Sequence, residues 1–184
     1  RRKIKTVHIK KSNENNVKVL NCDLLCMSGG WSPTVHLFTQ SRGKLKFRDE
    51  DSCFIPHQAH QNSLSIGSCN GVFDLKNILK ETYSTVNFFL NADKKDSLDG
   101  KVFESETIKI GKQENAWLIN KKNIGKSKMF VDFQNDVTAK DIKIALSEGF
   151  QSIEHVKRYT TNGMATDQGK TSNVNALGII SELT

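Results

Sequence analysis

The chain has 184 residues, 36% hydrophobic and 26% charged, with a formal net charge of +7. That is enough for one ordinary domain or two small ones. No apolar run approaches the roughly 20 residues a membrane span needs. Behind Arg1-Arg2-Lys3 there is no apolar stretch of the kind a secretion signal carries.

The charge is local. Six of the 27 basic residues (Arg1, Arg2, Lys3, Lys5, Lys10, Lys11) lie in the first eleven positions, and the remainder has 21 basic against 20 acidic residues. A basic face would favour phosphate backbones. A short basic tail is ordinarily a solvated segment. The expectation is therefore no nucleic acid and no membrane partner, with a basic binding or scaffold module as the non-enzyme alternative. The four cysteines (Cys22, Cys26, Cys53, Cys69) form no Cys-x-x-Cys, and the sparse usage fits a reducing, cytoplasmic setting. His57 and His60 beside Cys53 hint at a metal, but a polar loop is the plainer reading.

Val7 and Ile9, then Val17 and Val19, alternate at strand period around the turn-rich Ser12 to Asn16, which predicts a β-hairpin. Cys22 to Ser28, closed by Gly29-Gly30, is a short apolar run that suits a central strand buried on both faces. Lys44 to Gln61 is polar and reads as a loop. Ser63 to Gly67 reads as another strand ending at glycine, then Ser68 to Gly71 as a loop. Val72, Leu75, Ile78 and Leu79 share one face of a following helix. Strand, glycine loop, helix can present free N–H groups to a phosphate, or can be a plain connection.

Residues 91–128 read as a polar linker, with Trp117 in Ala116 to Ile119 as an anchoring contact. From 129 to 184 the pattern is helical. Thr138 with Asp141 forms a capping box before Ile142, Ala145 and Leu146, and Gly149 ends that helix. Ser152 caps a second, with Ile153, Val156 and Tyr159 inward. Thr171 or Ser172 caps a third, with Val174, Leu177 and Ile180 inward. Between the last two helices, Thr160 to Asn173 is rich in hydroxyls, amides and glycines and contains Lys170. A helix start with such a loop suits an anion, or is an ordinary connection. Gly163 and Gly169 are six apart, so the spacing is not that of a Walker A loop.

Three ordered blocks, Phe130 to Asp141, Glu148 to Thr161 and Gly163 to Asn173, resemble the α subunits of heterotetrameric sarcosine oxidases. Cys22 to Leu25 and Ser28 to Leu37 resemble the same subunits further upstream. The resemblance implies an α+β chain. Residues 1–90 would be the closing part of a pyridine-nucleotide-disulfide-oxidoreductase-like dinucleotide domain. Residues 91–128 would be a linker with short strands, and 129–184 a small all-helical domain preceding a folate-binding domain. The chain would then be a piece of the subunit, since no Gly-x-Gly-x-x-Gly fingerprint follows a strand.

The helical domain also resembles the bacterioferritin-associated-ferredoxin-like module, whose four cysteines hold a [2Fe–2S] cluster. The matching positions here are Asp132, Gln134, Asp167 and Ser172, so no iron–sulfur cluster is expected. The resemblance implies NAD at Gly67, Ser68, Phe73 and Leu75. It implies FMN at the interface with the β subunit, met by Thr160, Thr161, Gln168, Lys170, Thr171 and Ser172. FAD and tetrahydrofolate would lie elsewhere in a complex of α, β, γ and δ subunits that oxidises sarcosine to glycine. No residue of this chain is expected to do the C–H chemistry. The enzyme alternative is the α subunit of a related amino-acid or opine flavoprotein dehydrogenase. Such relatives keep the cluster cysteines that are absent here.

Overall fold

The computed structural model describes residues 3–11, 14–28, 30–90, 104–106 and 115–184. Arg1, Arg2, Ser12 and Asn13 of the predicted hairpin turn, Gly29 and the polar stretch over 91–103 and 107–114 lie outside the described residues. The chain divides into two compact units, Arg1–Glu114 and Asn115–Thr184. Both mix helices with two-stranded antiparallel sheets, so the chain is α+β.

In the first unit, β1 (Thr6–Lys10) and β2 (Val17–Asn21) form the predicted hairpin, with Val7 opposite Leu20 and Ile9 opposite Lys18. The apolar run after it is not a central strand. Among the described residues, strands β1 and β2 pair only with each other. The described residues hold no wider sheet for a third strand to enter, and Leu24 and Met27 are 72% and 71% exposed. A short helix, α1 (His36–Gln40), follows.

The stretch read as a polar loop is a second hairpin, β3 (Lys44–Arg48) against β4 (Cys53–Gln58). Its polar residues gather in the turn, where Ser52 is left-handed with φ 52°. On β4, Cys53 and Ile55 alternate inward and are buried. Phe47 and Phe54 meet edge to face at 5.2 Å across the pair. Ser63 to Gly67 pairs with no strand among the described residues either. Instead Gly67 opens a 3-10 turn, Gly67–Asn70. Helix α2 (Leu75–Leu90) begins three residues later than the apolar spacing predicts. Asp74 explains the delay: its Oδ1 accepts the Asn77 N–H at 3.0 Å and caps the helix there. Among the described residues no helix is long and apolar enough to cross a membrane.

The second unit is not all-helical. A two-stranded sheet, β5 (Phe130–Asp132) with β6 (Val137–Thr138), precedes α3 (Ala139–Ser147), α4 (Ile153–Thr160) and α5 (Asn173–Leu183). The cause is Asp132. Its Oδ1 accepts the N–H groups of Gln134 and Asn135 at 2.9 and 3.2 Å, and this Asx turn reverses the chain before a helix can start. Helix α3 starts where the capping signal puts it, with Asp141 Oδ2 accepting the Thr138 N–H and hydroxyl at 2.8 and 2.7 Å.

The core of this unit is Val131, Ala139, Ile142, Ala145, Val156, Ala176, Ile179 and Ile180, with Trp117, Leu118 and Phe150 packed against it. Trp117 is thus an anchor, lying over Gly178 of α5. The inward faces of α4 and α5 are turned slightly from the expected ones. Tyr159 is 48% exposed, its ring on Phe150 at 4.9 Å. Ala176, Ile179 and Ile180 are the fully buried stripe of α5, while Val174 and Leu177 are half-buried.

Candidate functional site

The loop between α4 and α5 is held by a clamp of short polar side chains. Thr161 ends α4 in a left-handed conformation, φ 62°. Its carbonyl accepts from Asn135 Nδ2 at 2.9 Å. Asp132, 2% exposed, accepts the Gly163 N–H at 2.8 Å through Oδ2. Gln134 Oε1 accepts from Thr166 Oγ1 at 2.6 Å. The β5–β6 turn therefore grips the loop at three successive points. Gly163 and Gly169 are both left-handed, φ 67° and 78°. A Cβ at either would strike the side chain of Asn173, and one at Gly163 would come within 3.0 Å of Gly169 Cα. Only glycine fits there, which is what lets the loop fold back onto the start of α5.

Beside the clamp lies a cleft of about 280 Å³, lined by Glu154, Lys157, Arg158, Gly163, Met164 and Gln168. Glu154, Lys157 and Arg158 fall at i, i+3 and i+4 and so share one face of α4. Two cations and one carboxylate face a thioether, a glycine backbone and an amide. The cleft can take an anion next to an apolar ring. Its volume sits at the small end of ligand pockets, so a nucleotide-sized ligand would need a second wall.

Of the residues expected to meet FMN, Gln168 alone lines this cleft. Its Nε2 donates to the Ala165 carbonyl at 2.9 Å. The Thr160 hydroxyl donates back to the Val156 carbonyl at 2.8 Å. The Thr171 hydroxyl donates to Asp167 Oδ2 at 2.5 Å. Thr161 contributes its carbonyl to the clamp, Ser172 is 1% exposed, and Lys170 is exposed. The loop-centred reading missed Glu154, Lys157, Arg158 and Met164. A signal for three of them lies in the sequence as the charged i, i+3, i+4 face of α4, opposite the inward residues of that helix.

Asp167 has its carboxyl pulled below the usual carboxylate range. The Thr171 hydroxyl is the main cause, followed by the N–H groups of Thr171 and Gly169. Asp132, Gln134, Asp167 and Ser172 offer carboxylate, amide and hydroxyl oxygens. Three of the four are already spent on the loop's own donors. This donor set does not fit an iron–sulfur cluster, which needs thiolates.

In the first unit the glycine loop has its own anion. Glu81, reaching from α2, accepts the Gly67 N–H through Oε2 at 2.8 Å and Asn70 Nδ2 through Oε1 at 3.0 Å. Gly67 is buried with φ 68°. Of the other residues expected at NAD, Ser68 and Leu75 are exposed and Phe73 is half-buried. Cys53 is buried, and burial pushes its thiol up, helped by the Asp51 carboxylate and opposed by Arg48. Among the described residues no three His, Cys, Asp or Glu side chains gather to hold a metal ion.

Residues 126–184, which hold the clamp and the cleft, match the family described as Sarcosine oxidase A3 domain. Along 91% of its length the chain is 33% identical to a protein of Corynebacterium sp. (strain U-96), named "Sarcosine oxidase subunit alpha". A protein of the same name from Rhizobium meliloti (strain 1021) is 36% identical over 87% of the chain. The chain spans 18% and 16% of the length of these two relatives. Both units are included in this likeness, and the chain belongs to the sarcosine oxidase α-subunit family.

Proposed function

We propose that the chain is a portion of a sarcosine oxidase α subunit that positions cofactors and contacts neighbouring subunits, with the C–H chemistry carried elsewhere in the complex. That complex would convert sarcosine to glycine, pass the one-carbon unit to tetrahydrofolate and pass electrons through flavins to oxygen, with β, γ and δ subunits as partners. The dinucleotide-domain likeness of residues 1–90 and the ferredoxin-like likeness of the second unit remain part of this proposal.

The observation that carries it is the α4 cleft. Lys157 and Arg158 supply charge for a phosphate, Gln168 supplies an amide, and Met164 supplies a soft apolar face. Lys170 lies exposed two residues beyond Gln168. When bound, FMN would supply electron transfer. The residues of this chain bind and orient its phosphate, and the small volume leaves the other wall to the β subunit. Ser68, Phe73 and Leu75 are proposed to meet NAD as surface contacts. Gly67 shapes their turn without donating its N–H to the ligand.

The test is titration of the flavin-free complex with FMN, followed by quenching of flavin fluorescence. Arg158→Ala and Lys157→Ala should each weaken binding about tenfold or more, as expected for a lost charged hydrogen bond. Unchanged affinity in both would remove the cleft as the flavin site.

A further inference from the structure

The β5–β6 turn makes contact with the α4–α5 loop through three polar residues, Asp132, Gln134 and Asn135, and the first of them is buried. Asp132 takes three N–H groups on its two carboxylate oxygens: Gln134 and Asn135 on Oδ1 within its own turn, and Gly163 on Oδ2 across to the loop. Gly163 is itself a wall of the cleft. Gln134 and Asn135, whose backbones Asp132 fixes, each send a side chain to the same loop, at Thr166 and Thr161. Asp132 is thus a buried carboxylate that makes one of these three bonds itself and fixes the backbones of the residues that make the other two.

We infer that Asp132 is the positioning residue of the cleft, holding Gly163 and the 161–166 backbone at the place where the ligand's anionic group is met. The inference rests on the flavin reading for the ligand's identity, but not for the clamp. The chemistry makes a discriminating variant available. An amide has one acceptor oxygen and one NH₂ donor. Asp132→Asn can keep the Asx turn through its oxygen, but then turns NH₂ toward the Gly163 N–H. It breaks the bond across to the loop and little else.

Hydrogen exchange on the full-length α subunit in its complex reads the clamp directly. In Asp132→Asn, amides of 161–169 should exchange at least tenfold faster, while those of α3 and α5 keep their rates. FMN should bind more weakly, and the visible circular dichroism of bound flavin should change, because its seat has moved. Ile142→Val, a core variant away from the clamp, should lower stability without altering loop exchange or the flavin signal. If Asp132→Asn does not fold, Asn135→Ala and Thr166→Val take its place, each removing one side-chain bond to the loop. Unchanged exchange over 161–169 in Asp132→Asn, or in both substitutes, overturns the inference. Faster loop exchange with FMN affinity unchanged in Asp132→Asn, Lys157→Ala and Arg158→Ala alike upholds the clamp and removes the flavin reading. Faster exchange with affinity lost only in the two cation variants overturns the positioning role.

Discussion

Gly178→Ala tests the packing of the second unit through the sign of its effect. Gly178 lies inside α5 and is buried. In an open helix interior, replacing glycine by alanine stabilises by up to about 1 kcal/mol. Here a Cβ would fall inside the Trp117 indole, so the ring has to leave. Removing a fully buried Trp side chain costs about 3–5 kcal/mol. Trp117 is half-buried, so displacing it should cost roughly half of that, about 2 kcal/mol. The net is a loss of about 1 kcal/mol, or a Tm lower by about 4–8 °C for a unit of this size. The assay is thermal unfolding followed by Trp117 fluorescence, in a Trp31→Phe background because Trp31 is 77% exposed and would mask the signal. Trp117→Ala should cost about 2 kcal/mol alone and much less on top of Gly178→Ala, a coupling expected of residues in contact. A stabilised Gly178→Ala with unchanged Trp117 emission would refute the packing argument.

Cys53 should react with a small alkylating reagent far more slowly than exposed Cys26, and faster only once the unit is unfolded. Because its native thiol is raised, its contribution to stability is present below the ordinary thiol range and is lost as pH climbs through the raised value; a flat alkaline stability profile would contradict this. Thr171→Val should let the Asp167 carboxyl return toward the usual range, read by NMR titration. Asp167 is depressed in the native state, so its contribution is present above the ordinary carboxylate range and fades as pH falls through the depressed value. Gly67→Ala should destabilise the first unit by about 1 kcal/mol in denaturant melts, since it must hold φ 68° and place its Cβ 3.2 Å from Ile78 Cγ2.

Local signals in the sequence were read well where they are self-contained. The β1–β2 alternation, the Thr138–Asp141 cap and the Ile142–Ala145 stripe each depend on residues within a few positions. What depends on partners was not legible. Cys22 to Ser28 has the composition of a buried strand, but a strand needs a neighbour, and none among the described residues pairs with it. Lys44 to Gln61 looks polar because its charges crowd the turn, which hides the Cys53–Ile55 alternation on β4. The second unit looked all-helical because Phe130 to Asp132 is only three residues long, and its pairing is decided by a single Asx turn. The cleft was missed for a related reason. Glu154, Lys157 and Arg158 are an ordinary charged face until the loop folds back and supplies the opposite wall.

The two glycine loops share one device. Gly67 and Gly163, both left-handed, each donate an N–H to a carboxylate from a neighbouring element, Glu81 and Asp132. Gly169, also left-handed, donates its N–H to Asp167 of its own loop at 3.1 Å. Glycine-rich turns near helix starts attract phosphate because their N–H groups are free and aligned. A carboxylate of the same chain sits at a fixed short distance and competes with any dissolved anion at a high effective concentration. The N–H groups of Gly67, Gly163 and Gly169 are therefore taken by internal anions. In the proposed flavin site, recognition of a phosphate then falls to side-chain cations. Around the cleft those are Lys157 and Arg158, on a helix face that keeps its place because the glycine turn beside it is already satisfied.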